Sequence, residues 1–288
     1  MNAGVGPGRE AFGERLYAAV RARGPLCVGI DPHPGLLAAW GLPDDASGVE
    51  RFARTVVEAL GDVVAVLKPQ AAFFERHGSR GVAALESVVA DARSSACLTI
   101  VDAKRGDIGS TMAAYADAFA GDASPLAGDA LTVSPYLGFG SLRPVLDLAA
   151  ATGRGVFVLA LTSNPEEPEV QHALRADGRT VAQAVLDAVA AENAGASPLG
   201  SVGVVVGATV TGAGRAHDLS ALNGPILAPG IGAQGGTAAD LAAVFGSALP
   251  HVLPASSREV LAAGPAPTAL RDAAERARDA VASVLTAS

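Results

Sequence analysis

The feature that most constrains this chain is an alternation that runs unbroken along it. Short, near-continuously apolar runs of strand length occur at 26–32, 63–69, 97–104, 130–135, 155–163, 201–208, 225–230 and 251–257. Longer segments with helical periodicity separate them, among them VERFARTVVEALG, RGVAALESVVADARS, SLRPVLDLAAATG and RTVAQAVLDAVAAENAG; TALRDAAERARDAVASVLTA closes the chain. Strands apolar on both faces belong in a parallel sheet covered by helices. Eight strands, each followed by a helix, in 288 residues predict a (β/α)8 barrel, a fold of about 250 residues. The expected organisation is one domain over 1–288, with 1–25 as an N-terminal helical extension. A doubly wound sheet uses the same alternation, because the pattern does not state whether the sheet closes. In both folds ligands gather at the carboxyl ends of the strands.

Composition narrows the function classes. Half of the residues are apolar, which is enough for a sizeable core, and the formal charge is 21 − 29 = −8. An acidic chain lacks the electrostatic footprint for nucleic acid or for an anionic membrane. The start, MNAGVGPGREAFGERLYAAVRARG, has no uninterrupted apolar run of the kind a signal peptide needs. Leu219 to Ser257 carries Asp240 as its sole formal charge, yet Gly, Pro, Asn and Gln break it throughout, so it reads as core rather than a membrane span. Cys27 and Cys97 both fall in apolar strand-like runs. They read as buried, reduced thiols of a cytoplasmic protein.

The strand ends carry the chemistry. Strand one ends in Asp31, strand two in Lys68, and strand three in Asp102 and Lys104. Ionised groups at the ends of apolar strands are costly unless paired or used. A single one is explained by an ion pair at the barrel mouth; four of alternating sign are much less so. Asp102 and Lys104 are two apart on a strand and project to the same side. Asp107 follows after Gly106, and Ser110 and Thr111 enter the next helix. Two carboxylates 4 Å apart repel by roughly 4 kcal/mol at an effective dielectric of about 20. Lys104 between Asp102 and Asp107 offsets that repulsion and is held as an ammonium, suited to delivering a proton or meeting a carbanion. Lys104 and Lys68 occupy the space a divalent cation would need, so no metal is expected.

A second site is expected downstream. APGIGAQGGT (228–237) is a Gly-rich turn opening a helix at Thr237, and strand eight runs into SSREV (256–260). Loops after strands seven and eight form the usual phosphate site of this barrel, with Arg258 as anion partner and Gln234 as neutral donor. Glycines alone only permit tight turns; the position after strand seven is what matters.

The segments DAKRGDIGST, CVGIDP, LKPQAAFFE and APGIGAQGG resemble orotidine 5′-phosphate decarboxylase in its longer bacterial form, from about Leu26 to the last helix. The resemblance implies conversion of orotidine 5′-monophosphate to UMP and CO2 in pyrimidine biosynthesis, without metal or organic cofactor. It implies Lys104 as proton donor to C6, Asp102 against the departing carboxylate, and Lys68 with Asp31 holding the ribose hydroxyls and ordering the charges. Asp107, Ile108 and Thr111 match residues supplied by a neighbouring subunit, which implies a homodimer with shared active sites. Gln234 and Arg258 match the phosphate grip; Ser141 and Ser163 match pyrimidine contacts.

Other readings remain. Sugar-phosphate barrels such as hexulose-phosphate synthase or ketogulonate-phosphate decarboxylase share the D-x-K-x-x-D core but use Mg²⁺, held partly by a carboxylate where this chain has Lys68. A non-catalytic phosphate-ligand barrel would have little reason to set carboxylates against its ligand. None of the five histidines has metal-ligand spacing. His33 reads as loop surface, and Trp40 and Tyr136 as packing residues.

Overall fold

The computed structural model describes residues 9–95, 97–207, 217–230 and 244–286. Eight parallel strands close into a barrel in sequence order: β1 (Cys27–Ile30), β2 (Val66–Pro69), β3 (Leu98–Arg105), β4 (Ala130–Val133), β5 (Gly155–Leu161), β6 (Val202–Val206), β7 (Ile226–Pro229) and β8 (Val252–Ser256). β8 pairs back onto β1 through Cys27 and Val28 opposite Ala255 and Ser256, which settles closure against the open doubly wound sheet.

Side chains alternate along each strand, so one set fills the barrel and the other meets the helices. Cys27, Val66, Leu98, Ile100, Ala130, Phe157, Val205, Leu227, Leu253 and Ala255 form one buried cluster. Val28, Leu67, Val101, Leu131, Val156, Val204, Ile226 and Val252 pack into the other, with helices such as Ala46–Leu60 and Gly78–Ser94. Helix Ala46–Leu60 starts where the Asp45 side chain accepts the N–H groups of Ser47 and Gly48, and it buries Val49, Phe52, Ala53 and Val56.

The N-terminal helix Phe12–Arg23 is more than an extension. Phe12 is fully buried in the barrel-interior cluster and meets Phe157 edge-on, with ring centroids 5.9 Å apart. Gly155 makes room for it: a Cβ there would sit 2.2 Å from the Phe12 ring. Arg15 pairs with Asp129 below β4. The helix plugs the end of the barrel opposite the strand carboxyl ends.

One expectation needs correction. β2 begins at Val66 rather than Val63, because the N–H groups of Val63 and Val64 both bond the Leu60 carbonyl and finish the preceding turn. Between β6 and β7, residues 208–216 lie outside the described residues, and the structure describes 217–225, which hold no helix. There the Asn223 amide donates to the carbonyls of Asn193 and Ala196, tying the chain close to β7. Among the described residues no helix is long and apolar enough to cross a membrane.

Candidate active site

The inward-facing parity that buries Val66, Ile100 and Ala130 continues two residues on to Lys68, Asp102 and Thr132, at the carboxyl ends of β2, β3 and β4. These polar side chains therefore enter the barrel mouth together. Asp102 is at the centre. Its Oδ2 accepts from Lys68 Nζ at 2.9 Å and from Gln70 Nε2 at 3.2 Å. Its Oδ1 accepts from Lys104 Nζ and from the Thr132 hydroxyl, both at 2.7 Å.

Asp102 and Lys68 are each only 7% exposed, so both charges depend on their partners. Burial disfavours the Asp102 carboxylate, but Lys68 and Lys104 outweigh it and hold the group well below the usual carboxylate range. Burial likewise pulls Lys68 toward neutrality, and the charges of Asp102 and Asp31 overcome it, raising the ammonium above the usual lysine range. Lys104 differs: its side chain is 45% exposed, with its ammonium pinned at one end to Asp102.

β3 is not regular here. Its register against β4 shifts between Val101 and Arg105, and Lys104 has φ 48°, in the left-handed region that a residue with a Cβ avoids. The Lys104 N–H bonds the Thr132 hydroxyl at 3.0 Å. Asp102 and Lys104 thus meet through a bent strand end rather than through simple alternation.

Two adjoining cavities, of about 330 and 390 Å³, share Asp31, Lys68 and Pro229. The first contains Asp102, Lys104, Thr132 and the β5 end at Thr162, Ser163 and Asn164, against an apolar wall of Leu159, Val205 and Leu227. The second runs to Arg258 at the start of helix Arg258–Leu261. Among the described residues, three buried oxygens there lack a hydrogen-bond partner: Asp31 Oδ1, Ser256 Oγ and Ser257 Oγ. Unsatisfied buried acceptors and hydroxyls lining a cavity are suited to a polar ligand. Gly29 is required beside them, since a Cβ would lie 2.9 Å from Asp31 Oδ2 and from Ser257 Cβ.

Of the residues singled out from sequence, the structure brings Asp31, Lys68, Asp102, Lys104, Ser163 and Arg258 to this mouth. It does not put Asp107 there. Within one chain the Asp107 carboxylate accepts its neighbour Ile108 N–H at 2.8 Å, and the arrangement is one carboxylate between two ammoniums, not one ammonium between two carboxylates. The cause is the turn: β3 ends at Arg105, so Gly106 and Asp107 already leave the barrel. Ile108 and Thr111 are exposed at the start of helix Gly109–Ala120. Ser141 lies in the 3-10 turn Phe139–Leu142, its hydroxyl bonded to the Gly138 carbonyl at 2.7 Å. Gln234 and the helix expected from Thr237 fall outside the described residues.

Some residues were missed. Thr132 was legible as the one polar side chain in the apolar run ALTV, and Gln70 as the polar residue after LKP. Ser256 and Ser257 flank the expected anion partner. His33, read as loop surface, lines the cavity beside Arg258 and packs edge-on against Phe73 with centroids 4.3 Å apart. Tyr136, read as packing, is 78% exposed.

Among the described residues, no three His, Cys, Asp or Glu side chains are grouped to hold a metal ion. At Asp102, both oxygens already face ammoniums, a donor set that repels a divalent cation.

The model of the Orotidine 5′-phosphate decarboxylase / HUMPS family matches residues 24–273. The chain is 68% identical over 267 residues to orotidine 5′-phosphate decarboxylase of Salinispora arenicola, covering 93% of this chain and 95% of that one. It is 63% identical over 279 residues to the Streptomyces coelicolor enzyme of that name, covering 97% and 100%. The crystal structure of a Streptomyces avermitilis protein assigned as an orotidine 5′-phosphate decarboxylase superposes with a TM-score of 0.95 at 61% identity, covering 99% and 100%. Matched along nearly its whole length in sequence and in fold, the chain belongs to the orotidine 5′-phosphate decarboxylase / HUMPS family.

Proposed function

We propose that this chain decarboxylates orotidine 5′-monophosphate to UMP and CO2, with Lys104 as the proton donor and no metal ion or organic cofactor in the step. The observation that carries the reading is the buried Asp102 held between the ammoniums of Lys68 and Lys104 at the barrel mouth. Breaking the bond from C6 to the carboxylate releases CO2 and leaves the electron pair on C6. That pair lies in the ring plane, where the π-system cannot delocalise it. A pre-positioned ammonium stabilises such a localised charge, and Lys104 Nζ then transfers a proton to C6. Solvent returns a proton to the amine. The reaction needs the upper part of the roughly 8–23 kcal/mol by which enzymes lower barriers.

In this reading Asp31 and Lys68 take the ribose hydroxyls, Arg258 the phosphate and Ser163 the base, which their places on the two adjoining cavities support; Gln234 and Ser141 belong to the same reading through family resemblance. Phosphate binding far from C6 contributes by ordering the site around the reacting carbon. The active form in this reading is a homodimer, in which the partner subunit's Asp107 reaches Lys104, with Ile108 and Thr111 beside it. Ile108 at 61%, Leu137 at 53% and Tyr136 at 78% exposure are apolar surface around the mouth that a second subunit would cover. The free, buried thiols of Cys27 and Cys97 fit a reducing compartment, the cytoplasm.

The test is direct. Chelator-treated protein is incubated with orotidine 5′-monophosphate while its ultraviolet absorbance is followed. Conversion to UMP supports the proposal; absence of conversion, or conversion only after Mg²⁺ is restored, overturns it.

A further inference from the structure

We infer that Thr132 is a positioning residue for proton delivery by Lys104; this rests on the decarboxylase reading of the site. Thr132 is 1% exposed, on β4, and one oxygen serves two parts of the neighbouring strand. Its hydroxyl donates to Asp102 Oδ1 at 2.7 Å, and the same oxygen accepts the Lys104 backbone N–H at 3.0 Å. The first bond orients the carboxylate to which the Lys104 ammonium is tethered. The second holds the Lys104 backbone at φ 48°, a conformation disfavoured for any side chain with a Cβ.

These bonds act together. Where β3 slips register against β4, the Thr132 side chain takes the Lys104 N–H. Strain of this kind persists only where the surroundings over-determine it. Among the described residues, Asp102 is the sole hydrogen-bond partner of the Lys104 ammonium, which is otherwise open to the cavity. Thr132 therefore sets both the angle at which Lys104 leaves the strand and the anchor at its far end. Without the hydroxyl the backbone is free to relax toward extended geometry, and the ammonium moves off the line to the reacting carbon. Misplacement by even 1 Å is enough to slow a positioned reaction severely.

Thr132→Val keeps the shape and removes the hydroxyl, whereas Thr132→Ser keeps the hydroxyl and removes the methyl. A packing role predicts that valine is the harmless change; the positioning role predicts the reverse. We expect T132V to lower kcat by about 10- to 100-fold, the range of a hydrogen bond to a charged group. KM and UMP affinity should change little, because Asp31 and Arg258 follow other strands, β1 and β8, rather than β4. T132S should stay close to wild type in kcat. Should valine not be accommodated, judged by circular dichroism and Tm, T132S against T132A isolates the hydroxyl alone. Wild-type kcat in T132V, or equal losses in the serine variant and the hydroxyl-free ones, overturns the inference. Wild type is assayed in parallel: its failure to turn over orotidine 5′-monophosphate removes the decarboxylase reading and this role with it, whereas an unimpaired T132V removes only the role of Thr132.

Discussion

Asp102→Asn changes one charge and almost no volume, which makes it a sharp probe of the barrel mouth. Lys68 Nζ lies 2.9 Å from Asp102 Oδ2, with side-chain exposures of 9% and 8%. At that separation the Coulomb attraction is about 6 kcal/mol for an effective dielectric near 20. That is an upper bound, because removing the carboxylate also removes its own burial cost. Breaking one partner of a buried pair typically destabilises by about 3–5 kcal/mol, since the other charge is left uncompensated. The Lys104 contact adds little, being screened by solvent. D102N should therefore lose about 3–5 kcal/mol in urea unfolding near neutral pH.

The pH dependence gives the sign. In the wild type the Lys68 ammonium is raised above its unfolded value, so its stabilisation is fully present across neutral pH and is lost only as pH rises through the folded value. In D102N the burial that disfavours that ammonium loses its main opponent, so the folded value falls from its wild-type level, with Asp31 still opposing the burial. The Lys68 contribution to the stability of D102N should then be smaller than in the wild type and should change at lower pH. On the acid side the wild type should lose stability below the ordinary carboxylate range, as pH falls toward and through the depressed Asp102 value, whereas D102N lacks that component. A loss below about 1 kcal/mol, the scale of an exposed pair, together with matching pH profiles, would refute the claim that these charges are held by each other.

Three further outcomes are expected. Arg258→Ala should cost about 1.5–3 kcal/mol in kcat/KM for the phosphorylated substrate; an equal loss on the unphosphorylated nucleoside would contradict a phosphate role. Lys104→Ala and Asp107→Ala should each be inactive alone and regain activity when mixed under subunit exchange, and persistent inactivity of the mixture would argue against shared sites. Burial pushes the thiols of Cys27 and Cys97 up to about 12, so a thiol reagent at pH 8 should label neither in the native protein and both after denaturation; rapid native labelling would contradict the packing.

Much of the site was readable because charged side chains at apolar strand ends are costly wherever the strands go. Asp31, Lys68, Asp102 and Lys104 stand out on that ground alone. Asp107 did not behave as its spacing suggested, since its distance from Lys104 in sequence says nothing of the turn at Gly106 that takes it out of the barrel. Thr132 was harder still. A threonine in a strand is ordinary, and only the bend at Lys104 turns its hydroxyl into a clamp.

By itself the sequence determined the repeating strand and helix order, the two-faced burial of the strands, and the end of the sheet at which chemistry collects. These are consequences of local periodicity and of the penalty for burying charge. Tertiary structure alone decided that β8 returns to β1, that helix Phe12–Arg23 stoppers the opposite end, and that Asp102 faces two ammoniums while Asp107 turns away. Those choices depend on closure, strand register and inward parity, which bring together residues as distant as Lys68 and Asp102, and such relations are not encoded in the spacing of residues along one strand.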